Sequence, residues 1–156
     1  MKGFETYIVE STSSVKPAVV SMFASLRAAE SIHRDGYWKA KGDAHYGLHL
    51  MFKHINDPID EQLDELGNQF VTHLGEETLN GNEIETKTKE YVLKANSATD
   101  AVSRSLWIEK TIQDNLKTVY DGLKSSGELT LGLDELLMGV AKEHDDAMYH
   151  LTRTQG

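Results

Sequence analysis

Apolar side chains recur at steps of three and four along most of the chain, the spacing that gathers one stripe on the side of an α-helix. Val15, Val19, Met22, Leu26 and Ala29 make the first stripe and predict a helix running to about Lys39. Thr12 or Ser13 is placed to cap it, with Pro17 in the first turn or so. Residues 1–12 read as a short N-terminal tail, because Tyr7-Ile8-Val9 is too brief an apolar run to found a sheet. Gly42 closes the helix, and Asp43 can accept the first free amides of the next. Leu48, Phe52, Ile55, Ile59, Leu63, Leu66, Phe70 and Leu74 then predict one long helix, about 45 Å over some thirty residues. Pro58 removes an amide donor in its middle and clashes one turn back, so a kink is expected between Lys53 and Pro58. The stripe keeps its phase through that point.

Gly75 and the turn Asn80-Gly81-Asn82 open a long connection, within which the charged residues 83–95 predict a short surface helix. Ile108, Ile112, Leu116, Val119 and Leu123 mark a third long helix from about Ala98 to Leu123, closed by Ser125-Ser126-Gly127. Thr130 caps a fourth, lined by Leu133, Leu137, Val140, Ala141, His144, Met148 and Leu151. Up-and-down neighbours need only a few linking residues, so the link after Gly75 implies a crossover between non-adjacent corners. The predicted fold is all-α: a ferritin-like four-helix bundle in one domain over 1–156, with an extra helix on the crossover.

Composition narrows the functions open to such a bundle. The chain has 156 residues, 39% of them apolar, enough for one sizeable core. It contains no cysteine, which excludes a disulfide framework, a thiolate metal site and a cysteine nucleophile. The opening Met1-Lys2-Gly3-Phe4-Glu5 lacks the apolar run of a secretory signal, and no stretch approaches the length of a membrane span, so a soluble cytoplasmic protein is expected. Sixteen basic against 25 acidic side chains give a net charge of −9, with no basic cluster. A phosphate backbone is repelled by that balance, so DNA binding is not expected unless divalent cations bridge the surfaces. An acidic interior that attracts cations is compatible with the same charge.

The polar groups that suit such cations gather around the first turn and along the second helix. His33-Arg34-Asp35-Gly36-Tyr37-Trp38 precedes the turn, and His45-Tyr46-Gly47-Leu48-His49 follows it. Asp57, Asp60, Glu61, Asp64 and Glu65 come later. Imidazole and carboxylate together suit Fe(II) or Zn(II). Fifteen positions separate His49 from Asp64, about 22 Å along a helix, so one chain cannot close both on a single ion. If both are ligands, they come from different copies meeting across a two-fold axis. Tyr37 and His49 sit at similar heights on the hairpin around Gly42, which makes His49 the better-posed histidine, with His33 a turn below Tyr37 as a displaced or orienting group. The competing reading is that these acids form a solvated helix face and the histidines are merely hydrogen-bonded. His54, His73, His144 and His150 are expected to be structural or surface residues, and Trp38 and Trp107 packing anchors. Glu30-Ser31-Ile32-His33 is the one Glu-x-x-His pair, whereas an intrasubunit di-iron bundle uses two.

The run Tyr37-Trp38-Lys39-Ala40-Lys41-Gly42-Asp43-Ala44-His45-Tyr46-Gly47-Leu48-His49-Leu50-Met51-Phe52, with Asn56-Asp57-Pro58 and Asp64-Glu65-Leu66-Gly67-Asn68 after it, resembles the Dps family of mini-ferritins. The closing segment from Asp134-Glu135 through Glu143-His144 to Tyr149-His150-Leu151 resembles the family's last helix. The resemblance implies a shell of twelve subunits that stores ferric mineral, with ferroxidase sites at two-fold interfaces built from two histidines of one subunit and an aspartate and a glutamate of its partner. By position these become Tyr37, His49, Asp64 and Asn68. Tyr37 and Asn68 depart from the family's imidazole and carboxylate, and a phenol and an amide bind ferrous ion less well. Three repairs are open: His33 reaches over, Glu65 or Asp60 substitutes, or the site binds another divalent cation weakly. The expected function is therefore an iron-sequestering homododecamer that oxidises ferrous ion at its interfaces, with a catalytically silent cage and a DNA-compacting protein as alternatives.

Overall fold

The computed structural model describes residues 2–155, and the side chains of residues 15–154. Six α-helices carry the chain: α1 (Lys2–Lys39), α2 (His45–Asn56), α3 (Ile59–Leu74), α4 (Gly81–Ala95), α5 (Ala101–Ser126) and α6 (Leu131–Gln155), with a 3₁₀ turn at Glu76–Thr78. No strand occurs among the described residues. The first stripe is buried as expected, with Val15, Val19, Met22, Leu26 and Ala29 all in the core. Opposite them lie Leu66 and Phe70 of α3, Ile108, Ile112, Leu116, Val119 and Leu123 of α5, and Leu133, Leu137 and Val140 of α6. Phe23 meets the edge of Phe70 with ring centroids 6.0 Å apart. The bundle corners are thus α1, the α2–α3 pair, α5 and α6, and α4 is the crossover helix, packed on α1 and α5.

Three local expectations change. The backbone of α1 is helical from Lys2, not from a cap at Thr12 or Ser13, and Pro17 lies inside it. Pro17 is exposed, so water can serve the carbonyl that lacks its amide. The expected tail over 1–12 involves side chains outside the described residues. Asp43 does not cap α2: Ala44 occupies that position without a side-chain hydrogen bond, and the ring of His45 turns back to the Gly42 carbonyl at 3.0 Å. The long second helix is interrupted at Asp57-Pro58, not only kinked. Both residues keep right-handed helical angles, but proline offers no amide to the His54 carbonyl one turn back. Because the angles stay helical, the stripe keeps its phase, and Ile55, Ile59, Gln62 and Leu66 are buried in sequence across the break.

The helix ends follow the residues that specify them. Asn80 accepts the Glu83 amide at 3.0 Å, Asp100 the Ser103 amide at 2.9 Å, and the Thr130 hydroxyl the Leu133 amide at 3.1 Å. Such caps satisfy amides that have no partner inside the helix. Gly127 ends α5 with φ +76, an angle that glycine adopts without the Cβ clash of other residues. Gly36 serves a different purpose, since a Cβ there would sit 2.7 Å from the Phe52 ring. Its bare backbone lets α2 approach α1 closely.

A layer of polar side chains divides the apolar core. On one side lies the main cluster, which includes Ile32, Ile59, Ile108 and Val140. On the other lies a smaller one of Phe52, Ile55, Ala147 and Leu151, with Tyr37, Leu48 and Leu106 against it. Between them are His33, Gln62, Ser105, Glu109 and His144, all buried. Trp38 breaks from expectation in the opposite direction: it is 70% exposed and anchors no core. It sits on the outward side of the last turn of α1, where the stripe is taken up by His33 and Tyr37. Trp107 is partly buried and meets Tyr91 edge-on at 6.1 Å.

Candidate metal centre

Three groups of polar side chains bear on chemistry. The buried layer takes one residue from each of α1 and α3, two from α5 and one from α6. His33 Nε2 lies 2.8 Å from Glu109 Oε1, and His144 Nδ1 lies 2.6 Å from Glu109 Oε2. The remaining ring nitrogens are also engaged, His33 Nδ1 with the Ser105 hydroxyl at 2.8 Å and His144 Nε2 with Gln62 Oε1 at 2.7 Å. Glu109 thus accepts from both imidazoles through its two oxygens, and the amide of Gln62 closes the chain of contacts on the far side of His144. Burial, the largest influence, pushes the Glu109 carboxyl up, but the hydrogen bonds and charges of His144 and His33 outweigh it and hold it at about 2. Every imidazole nitrogen here is committed to a hydrogen bond. The layer is a hydrogen-bonded brace around one buried carboxylate in the middle of the bundle. His144 was expected to be structural or on the surface, and it is structural.

The second group lies where α1 turns into α2. The His49 ring stacks on Tyr37, with centroids 3.7 Å apart and planes at 24°. His49 Nδ1 donates to the Tyr37 carbonyl at 2.9 Å, which leaves Nε2, the other coordinating atom of an imidazole, with its lone pair. The similar heights expected for Tyr37 and His49 are realised in this contact. Around it the surface is apolar and exposed: Trp38, Tyr46 at 68% and Leu50 at 47%. Asp60, Asp64 and Glu65 are exposed on α3, beyond the Asp57-Pro58 break from His49. His33, one turn before Tyr37, points into the bundle and is taken up by Ser105 and Glu109.

The third group joins the end of α2 to α6. His54, Asp146 and His150 place ligand atoms within 4.8 Å of one another, a set able to hold a metal ion. His54 Nε2 is 3.1 Å from Asp146 Oδ2, and His150 Nε2 is 3.5 Å from Asp146 Oδ1. The two rings meet edge-on at 5.0 Å. Asp146 and His150 share a face of α6 by their four-residue spacing. Sequence reading placed His54 and His150 among structural or surface residues, because the 92 positions between His54 and Asp146 carry no sign of contact. The clue available was the i, i+4 pair of Asp146 and His150, which needs its third member from another helix.

No protein-family model and no curated protein matches the chain. Solved structures do. The chain is similar to a Dps protein from Vibrio cholerae O1, described as a member of a broad superfamily of ferritin-like diiron-carboxylate proteins, with a TM-score of 0.73 and 13% identity over 94% of this chain and 92% of that one. It is also similar to Dps from Thermosynechococcus elongatus, with a TM-score of 0.70 and 13% identity over 93% and 94% of the two chains. Among the described residues, no helix is long and apolar enough to cross a membrane. With near-complete overlap in both directions, the chain has the ferritin-like fold of these Dps structures.

Proposed function

We propose that this protein assembles into a Dps-like cage, a homododecamer, that sequesters ferrous ion and oxidises it at sites shared between subunits. The observation that carries this reading is the state of His49: its ring is fixed against Tyr37, its Nε2 is left to a ligand, and the surface beside it is apolar enough to require cover. A second copy supplies both the cover and the missing acids. Asp64 of that copy is the proposed partner ligand, with Asp60 and Glu65 as further carboxylates that make up for Asn68. Each ferrous ion gives one electron. A peroxide accepts two, with two protons, and leaves as two waters while the ferric product collects on acidic surface.

Two measurements test the proposal. A native mass near twelve times 17.4 kDa is the expected assembly. Ferrous oxidation by peroxide is expected to exceed the uncatalysed rate and to fall toward it in His49→Ala and Asp64→Ala. A full assembly with no rate above background selects the second reading, a silent cage, which the phenol of Tyr37 at a position expected for imidazole favours. A monomer overturns both.

A further inference from the structure

We propose that His54, Asp146 and His150 form a second, intrasubunit binding site for a divalent transition-metal ion such as Fe(II), independent of any subunit interface. Two imidazoles and one carboxylate with remaining positions open are the donor set that suits non-haem ferrous ion, and Zn(II) accepts the same groups. The separations fit. Two ligand atoms each about 2.1 Å from an ion lie roughly 3.0 Å apart at a right angle and roughly 3.4 Å apart at a tetrahedral one. The two histidine nitrogens stand 3.1 and 3.5 Å from the oxygens of the single carboxylate between them. One ligand atom from each residue lies within 4.8 Å of the other two, close enough for an ion to draw them together.

The fold holds these groups in place from two directions. The Asp57-Pro58 interruption ends α2 within a turn of His54, and His54 meets α6 there, while Asp146 and His150 stand one above the other on α6. The cleft beside them, about 650 Å³, is lined by His54, Asp57, Gln62, Lys142, Glu143 and Asp146. Asp57 and Glu143 make that cleft attractive to a cation, and Lys142 and His144 also line it. Asp57 is paired with Lys53 at 3.2 Å, which leaves Glu143 as the candidate for a fourth oxygen, direct or through water. All three proposed ligands belong to one chain, so the site does not depend on the cage reading, and the two fail separately.

The test is Co(II) titration of the tag-free full-length protein, read by visible absorption and by equilibrium dialysis. The variants are His54→Ala, Asp146→Asn and His150→Ala, with His73→Ala as the control. Each of the first three is expected to lose one equivalent of Co(II) per chain, or to bind it at least a hundredfold more weakly, while His73→Ala, at an exposed histidine of α3 that meets Gln69, keeps it. His54 and Asp146 are more than half exposed and His150 partly so, and circular dichroism confirms that each variant keeps its helix. Unchanged stoichiometry and affinity in all three triad variants overturns the proposal, as does wild-type protein that binds no Co(II).

Discussion

Glu109 and His144 meet at 2.6 Å in a layer where neither side chain reaches solvent. Leaving a buried donor without its acceptor costs about 1–3 kcal/mol. Glu109→Gln is thus expected to lose that much stability in urea unfolding, because an amide offers one oxygen where two imidazoles each use one. A cost under 1 kcal/mol would mean that the second carboxylate oxygen contributes little to the layer.

Stability should also fall in acid, with a sign fixed by the same carboxylate. Glu109 is held at about 2 against an ordinary 4.5. A carboxyl depressed on folding contributes stability that is complete above its unfolded value and is lost as the pH falls through its folded one. Between about pH 4.5 and pH 2 the folded state should therefore weaken progressively, and Glu109→Gln should flatten that part of the profile. Urea midpoints collected across this range check both.

Gly36→Ala places a methyl group 2.7 Å from the Phe52 ring. Forced overpacking of this kind costs about 1–3 kcal/mol. The loss should be recovered in part by Phe52→Leu in the same chain, a coupling that a double-mutant cycle measures.

Trp38→Glu combined with Leu50→Glu puts charge on the apolar surface beside His49. Under the proposed assembly, this variant should sediment as smaller species with its helical content intact. A cage of unchanged mass would move the interface elsewhere.

The helices and their apolar stripes were readable from the sequence because each is a local, periodic property. A disturbance at Pro58 was readable too, since it follows from one proline's missing amide, but it read as a kink and is a full interruption between Asn56 and Ile59. What the sequence concealed is tertiary. His33 lies at a helix end rich in aromatic and charged residues, and nothing local announces that Ser105 and Glu109 face it across the bundle. Trp38 reads as core by size alone, yet it lies on the outward side of the same turn whose inward side carries Tyr37. The triad of His54, Asp146 and His150 joins two helices that the sequence sets far apart, and only the Asp146 and His150 spacing was visible.

The polar layer also restricts how the four corners can slide. Methyl-bearing stripes tolerate a shift by one turn, about 5.4 Å, since one apolar contact replaces another at little loss. Glu109 tolerates none: displaced by a turn, it would face aliphatic carbon in place of two imidazoles, and His144 and His33 would be left unanswered in a dry interior. A single carboxylate in the middle of the bundle thereby sets the vertical alignment of helices whose oily faces would otherwise accept several.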